Sequence, residues 1–250
     1  MGSKNIFNIL TLFPETISCF LRESIVGRAT ERDIIEVNII NIRDFSKDKH
    51  RKVDDYPFGG GRGMILKPDP LFRAVESLEE RGYIIYLTPV GSLLNQSKVR
   101  ELTEHKIITL ICGHYEGIDN RVVEALVDEE ISIGDYILTG GEIAAAVMVD
   151  SITRELDESL GNKDSRLEES FDSTGLLEFE QYTRPAEYRG LKVPEVLLSG
   201  NHEEIRRWKM KRRLLNTMGK RPDLLQVSKL SPEYQKLLDE IREEQSDEHR

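Results

Sequence analysis

Cysteine and long apolar runs are both scarce in this sequence, and each scarcity excludes a class of protein. Only Cys19 and Cys112 occur among the 250 residues, so a disulfide framework of the kind found in small secreted proteins is excluded. The longest apolar run, near 143–149, is far too short to cross a bilayer. No charged and apolar leader opens the chain. We therefore expect a cytoplasmic protein without membrane association.

Several common enzyme motifs are also missing. The glycine-rich stretch Gly59–Gly63 lacks the Lys-Ser/Thr of a phosphate-binding P-loop, and no G-x-G-x-x-G of a dinucleotide fold occurs. The segment 202–206 begins like the helix of a zinc protease, but Arg206 stands where the second histidine is needed. A P-loop enzyme, a standard dinucleotide-binding dehydrogenase and a zinc protease are all disfavoured.

The charge of the chain is unevenly distributed. A net charge of −10 argues weakly against nucleic acid as a partner, but all eight charged residues between 206 and 221 are basic. A run of charge is usually a solvated helix face, yet eight cations with so few nearby acids favour contact with RNA or DNA. The cations are Arg206, Arg207, Lys209, Lys211, Arg212, Arg213, Lys220 and Arg221.

Strands alternate with helices over the first two-thirds of the chain. This alternation predicts an α/β domain with a mainly parallel sheet, whose ligands bind at the carboxyl ends of the strands. The predicted strands cover 6–12, 34–40, 84–87 and 107–112, with an extended stretch at 130–138. The predicted helices run from Pro14 to about 27, from 69 to about 81, from a capping Ser97, and from Glu142.

The last third of the chain has a different pattern. Residues 161–173 are polar, acidic and poor in apolar side chains, which is typical of a linker. After them only helices are predicted: a basic one over 201–216, and one that starts at Ser231-Pro232 and ends near 243.

Three glycine turns, at 59–63, 113–117 and 140–141, fall near the ends of predicted strands. Each of the first two alone is as typical of a flexible surface loop as of a binding loop, and the third alone is also typical of tight helix packing. Together they expose enough backbone to hold an adenine and a ribose by main-chain groups.

Five strings in this order resemble the signature of bacterial tRNA (guanine-N1)-methyltransferases. They are VDDYPFGGG (53–61), ICGHYEGIDNRV (111–122), SIGDYILTGGE (132–142), YTRP (182–185) and VLLSGNHEEIRRW (196–208). The resemblance extends over nearly the whole chain, from 12 to 222. It implies methylation of N1 of the guanosine 3′ of the anticodon (position 37), with S-adenosyl-L-methionine as the methyl donor.

The resemblance also implies an architecture. A trefoil-knotted, mainly parallel α/β domain with helices on both faces would span 1–160, although knots are nearly absent among folds. A flexible linker (161–175) and a small all-helical tRNA-binding domain (176–250) would follow. The protein would be a homodimer with its active site at the subunit interface, and whether Mg²⁺ assists is left open.

The resemblance assigns most of the binding residues. The cofactor would contact Tyr86, Leu87, Thr88, Pro89, Gly113, Tyr115, Glu116, Gly117, Ile133, Gly134, Asp135, Tyr136, Ile137, Leu138, Gly140 and Gly141. The tRNA would contact Gly59, Gly60 and Arg62 in the glycine loop, and Arg206, Arg207, Lys209 and Lys211 in the basic helix.

The chemistry requires a base at guanine N1 and a donor or cation at O6, where negative charge develops. In the family pattern an aspartate is the base and an arginine is the cation at O6. Arg154 stands at the arginine position. The aspartate of the family's Asp-Ser-Phe is replaced here by Glu169, which we predict to be the base. Glu168-Glu169 in an acidic stretch is otherwise ordinary solvated charge, and Asp172 is the competing candidate, because this chain has one residue more before Gly175 than the family usually has.

Two other functions compete with this one. Another knotted RNA methyltransferase, acting on a ribose hydroxyl or a different base, would share the cofactor cleft. A non-catalytic RNA-binding protein is the second, and the departure at Glu169 is the one feature that favours it.

Overall fold

A computed structural model describes residues 4–156, 169–227 and 230–248. The chain divides into two compact units, Met1–Gly161 and Asn162–Arg250. We refer to them as the first and second units and describe each separately.

The first unit is built on a five-stranded parallel sheet with the strand order β2-β1-β6-β5-β7. Its strands are β1 (Asn5–Thr11), β2 (Ile35–Asn41), β5 (Tyr83–Leu93), β6 (Ile107–Cys112) and β7 (Glu129–Ser132), and a small hairpin joins β3 (Asp54–Asp55) to β4 (Ile65–Leu66). Its helices are α1 (Pro14–Leu21), α2 (Ser24–Glu31), α3 (Pro68–Glu76), α4 (Gln96–Leu102), α5 (Asn120–Leu126) and α6 (Glu142–Glu155), with a 3-10 turn at Ile42–Phe45.

Helices cover both faces of this sheet. Side chains alternate along each strand, so Phe7 and Ile9 of β1 enter one core while Leu10 enters the other. The first core also holds residues of α1, α2, α4 and α6, and the second holds residues of α3 and α5. The predicted α/β class with a mainly parallel sheet is confirmed.

Several boundaries differ from the prediction. The helix predicted from Pro14 breaks into α1 and α2 near Ser24, whose backbone adopts a left-handed φ of 60°. The expected cap at Ser97 is wrong, because the Asn95 side chain accepts the hydrogen bond from Lys98 N and begins α4 one residue before Ser97. Helix α3 ends at Glu76, earlier than the predicted 81.

Strand β5 is the longest element of the sheet and pairs twice with one residue of β7. Ile131 lies opposite both Leu87 and Ser92, so the register shifts between these two positions. The intervening residues bulge out of the ladder. The predicted strand at 84–87 covers the first pairing segment only.

The second unit holds the C-terminal helices, as predicted, and also a short hairpin that was not predicted. The helices are α7 (Glu195–Leu198), α8 (His202–Lys220), α9 (Pro222–Val227) and α10 (Pro232–Glu248); the hairpin joins β8 (Glu187–Tyr188) to β9 (Leu191–Lys192). Its core is formed by apolar side chains of α8 and α10 together with Leu176. Within the described ranges, no helix is long and apolar enough to span a membrane.

A buried ion pair lies in this second core. Arg213 Nη2 is 2.8 Å from Asp172 Oδ2, and both side chains are 5% exposed. The other carboxylate oxygen of Asp172 accepts hydrogen bonds from the backbone N (2.8 Å) and hydroxyl (2.6 Å) of Thr174. Residues 169–175 of the predicted linker therefore include a carboxylate fixed against α8, and residues 161–168 lie outside the described part.

Candidate active site

A cleft brings together residues 86–89 in the middle of β5, the turn that follows β6, and residues at and after the end of β7. Its volume is about 250 Å³. Fifteen of the sixteen residues expected to hold a cofactor line this cleft. The exception is Asp135, whose side chain is exposed and is not part of the lining. The lining residues that the sequence did not single out are His114, Ile131, Ser132, Thr139 and Ala144.

The glycines of this cleft stand where no side chain would fit. A Cβ atom on Gly141 would lie 2.7 Å from the Cα of Cys112, and one on Gly113 would lie 2.9 Å from the Tyr86 ring. The two turns are joined by a hydrogen bond from Gly141 N to Gly113 O of 2.9 Å. Close backbone approach therefore shapes the cleft, and main-chain groups face a ligand directly.

The cleft combines apolar, aromatic and acidic groups. Tyr86 is buried at its base, and this burial raises the pKa of its hydroxyl against the opposing effect of the hydrogen bond with Thr88. Tyr115 adopts a left-handed φ of 59°, a costly conformation for a non-glycine residue that is concentrated at functional sites. The exposed Glu116 adds a carboxylate to the lining. Such a lining suits a small molecule with a flat, largely apolar ring and a cationic end.

A buried carboxylate behind the cleft was missed in the sequence. Glu142, at the start of α6, is 6% exposed, and its Oε1 accepts a 2.6 Å hydrogen bond from the Thr11 hydroxyl. Its charge adds to burial in raising the pKa of the neighbouring Cys112 thiol well above the ordinary value. Cys112 is therefore an inert core thiol rather than a nucleophile. No sequence signal joins Thr11 to Glu142, because 131 residues separate them.

The glycine loop that follows β3 is tied to the cleft. Glu116 N donates to Met64 O (3.1 Å), and Leu66 N donates to Gly117 O (3.0 Å). A Cβ atom on Gly63 would lie 2.5 Å from the Glu116 side chain. Gly59, Gly60 and Arg62, expected to contact tRNA, are exposed on this loop.

The two predicted catalytic residues belong to different units. Arg154 lies in the last turn of α6 and is half-buried. Glu169 is half-buried in the second unit, where its carbonyl oxygen accepts a hydrogen bond from Arg213 Nη2 at 3.4 Å. The competing Asp172 has both carboxylate oxygens occupied, by Arg213 and by Thr174.

Most of the predicted tRNA-binding cations of α8 form ion pairs within the second unit. Arg206 pairs with Glu233, Arg207 with Glu240, and Lys211 with Glu244 of α10, the last at 2.7 Å. The Lys209 ammonium lies 4.6 Å from the centroid of the Phe179 ring. Hydrogen bonds from Arg212 also lower the pKa of Glu180 to about 2. The basic run is therefore largely matched by acids that lie far away in the sequence.

No metal site was assigned. In the parts of the chain that the structure describes, no three side chains of His, Cys, Asp or Glu form a group that could hold a metal ion. We therefore propose no residue of the described part as a ligand for Mg²⁺.

Known proteins resemble the chain over almost its full length. The family model described as tRNA (Guanine-1)-methyltransferase TrmD matches residues 6–227. A tRNA (guanine-N(1)-)-methyltransferase of Caldanaerobacter subterraneus subsp. tengcongensis is 56% identical over 237 residues, which cover 94% of this chain and 98% of the relative. The enzymes of the same name from Brevibacillus brevis (95% of this chain, 98% of the relative) and Moorella thermoacetica (94% and 95%) are each 52% identical over 239 residues. The chain therefore belongs to the tRNA (guanine-1)-methyltransferase family.

Proposed function

We propose that this protein transfers a methyl group from S-adenosyl-L-methionine to N1 of the guanosine 3′ of the anticodon (position 37) in tRNA. The observation that carries the proposal is the cleft, in which the glycine turns of two family motifs meet residues 86–89 in the middle of β5. The relatives named above support the tRNA and the N1 position. The donor and the position next to the anticodon rest on the resemblance of the motifs.

The cleft fits this donor. Leu87, Ile133 and Leu138 provide apolar contact for an adenine, and the main-chain groups of Gly113 and Gly141 border the same space. Glu116 is suited to the positive charge at the other end of the molecule. When bound, S-adenosylmethionine supplies an electrophilic methyl group on a sulfonium, so the leaving group departs neutral and needs no acid.

The residues of the chain then provide the proton chemistry. Guanine N1 carries a proton, and its loss moves negative charge toward O6. We assign the base to Glu169 and the stabilising cation at O6 to Arg154. Support for Glu169 over Asp172 comes from the buried pair, because both Asp172 oxygens are engaged by Arg213 and Thr174 and its side chain is only 5% exposed, which leaves it poorly accessible to a guanine.

The remaining parts of the proposal follow from family membership. We infer a trefoil knot in the first unit, a homodimer with the active site at its interface, and tRNA binding by the second unit. A cytoplasmic location likewise remains a prediction.

A substitution in the cleft gives a direct test of the cofactor assignment. Gly141→Ala is expected to weaken binding of S-adenosylhomocysteine about tenfold or more, because the new Cβ would meet the Cys112 backbone and displace the two turns whose main-chain groups line the cleft. Calorimetry measures the affinity. Gly219→Ala is the matched control, since a Cβ there has nothing within 4 Å. Equal affinities of Gly141→Ala and wild type would contradict the assignment.

The function itself is tested with labelled S-adenosylmethionine and unmodified tRNA transcripts. We expect label at N1 of a transcript with guanosine at that position, and none with adenosine there. Label on a ribose or on another base would favour a different knotted methyltransferase. Tight binding of tRNA without any transfer would favour the RNA-binding protein without activity.

A further inference from the structure

The tip of the β3–β4 hairpin carries the most exposed aromatic side chain described in this protein. Phe58 is 101% exposed and Tyr56 is 76% exposed. Aromatic side chains are enriched where proteins bind other molecules, so two exposed rings at one loop tip make this tip a candidate contact surface.

The loop presents this ring in a defined way. The four glycines that follow Phe58 closely, Gly59, Gly60, Gly61 and Gly63, all have φ between 80° and 128°. A Cβ on Gly59 or Gly60 would meet nothing within 4 Å, so these two glycines are not required by close packing. Only glycine adopts such angles without strain, and the chain therefore turns sharply just after the ring.

The base of the loop is fixed to the cofactor cleft. The backbone bonds from Glu116 N to Met64 O and from Leu66 N to Gly117 O join it to two lining residues of the cleft. Gly63 lies directly against the Glu116 side chain. The ring is thus carried by a loop that starts at the mouth of the cleft in the same unit.

The charge around the loop suits RNA. Residues 43–67 contain seven Lys and Arg and four Asp, a net charge of +3, in a chain whose total is −10. Arg62 is exposed within the loop itself. An aromatic face among cations is the combination that binds unpaired nucleotides, because the bases stack and the phosphates are neutralised.

We propose that Phe58 stacks on the nucleobase next to the guanine that is methylated. The inference rests on the proposed function. Guanine N1 is reached only when that base leaves the stack, which uncovers a face of its neighbour. The Phe58 ring covers this face and replaces the lost base–base contact, so the open conformation of the RNA is stabilised while the cleft holds the cofactor.

The test compares four substitutions at one position. Phe58→Ala and Phe58→Leu are expected to lower the affinity for a tRNA transcript by about 5- to 150-fold, the range for loss of one base–aromatic stack. Phe58→Tyr and Phe58→Trp keep a flat ring and should restore affinity close to that of wild type. With 2-aminopurine at the neighbouring position, wild type should quench the fluorescence and Phe58→Ala should not.

Two further measurements distinguish stacking on RNA from contact with the cofactor or with a second copy of the chain. Calorimetry with S-adenosylhomocysteine and light scattering should show the same cofactor affinity and the same molar mass for Phe58→Ala as for wild type. Wild-type affinity of the leucine variant would overturn stacking in favour of general apolar contact. A changed mass would show that the ring packs against a second copy of the chain. These are binding measurements, so they decide the role of Phe58 independently of catalysis. If wild type transferred no methyl group, that result would refute the proposed function but not the stacking role.

Discussion

Replacing Glu169 with glutamine is expected to lower kcat for methyl transfer by about 10²- to 10⁴-fold, the usual contribution of a general base. Glutamine keeps the size and one acceptor oxygen of the side chain, but its amide accepts no proton at neutral pH. Cofactor and tRNA affinities should change little. Single-turnover transfer of label to a guanosine-bearing transcript measures the rate directly.

Two controls sharpen this experiment. Glu178→Gln makes the same chemical change at an exposed carboxylate of the second unit and should leave kcat unchanged. Asp172→Asn should reduce the stability of the protein but keep the activity per folded molecule, because Asp172 is held in the buried pair. The assignment is wrong if Glu169→Gln turns over normally while a folded Asp172→Asn protein is inactive.

Replacing Arg213 with methionine should destabilise the second unit by about 3–5 kcal/mol, the cost of leaving a buried charge without its partner. The Asp172 carboxylate would stay buried beside an apolar side chain. Arg213 also donates to Leu177 O (3.1 Å) and to the Tyr234 hydroxyl (3.3 Å), and these bonds would be lost as well. Urea unfolding followed by the fluorescence of Trp208, the one tryptophan of the chain, reports on this unit.

The same helix provides a matched comparison. Arg207 pairs with Glu240 in a more exposed setting, where its side chain is 56% exposed, so Arg207→Met should cost no more than about 1 kcal/mol. Combining Arg213→Met with Asp172→Leu should recover part of the stability, because no unpaired charge then remains. Equal stabilities of Arg213→Met and Arg207→Met would rule out the energetic role given to the buried pair.

The regular elements of the sheet were accessible from the sequence because their patterns are local. Strand β6 has the predicted bounds, 107–112, since its run is apolar except for Thr109 and is buried on both faces. The break between α1 and α2 was not predictable, because the left-handed backbone at Ser24 has no composition signal. The hairpin of β8 and β9 was missed for a similar reason, as each strand has only two residues.

The candidate site likewise has features that the sequence reveals and features that only the fold creates. The glycine turns of the cleft are contiguous motifs, and the sequence located them. The contact between Thr11 and Glu142 depends on the way the chain brings β1 beside α6, which no local pattern encodes. The acids that pair with α8 are plain in the sequence after position 232, but their matching to particular cations requires the packing of α10 against α8.

The ion pairs between α8 and α10 have a consequence for discrimination among RNAs. A cation that already has a carboxylate partner gains little when a phosphate takes that place, because one anion is exchanged for another. Any RNA offers phosphates, so a helix with unmatched cations would retain RNA molecules regardless of their shape. A chain with a net charge of −10 also repels polyanions at long range. We therefore expect retention of tRNA by this protein to depend on short-range fit rather than on charge alone.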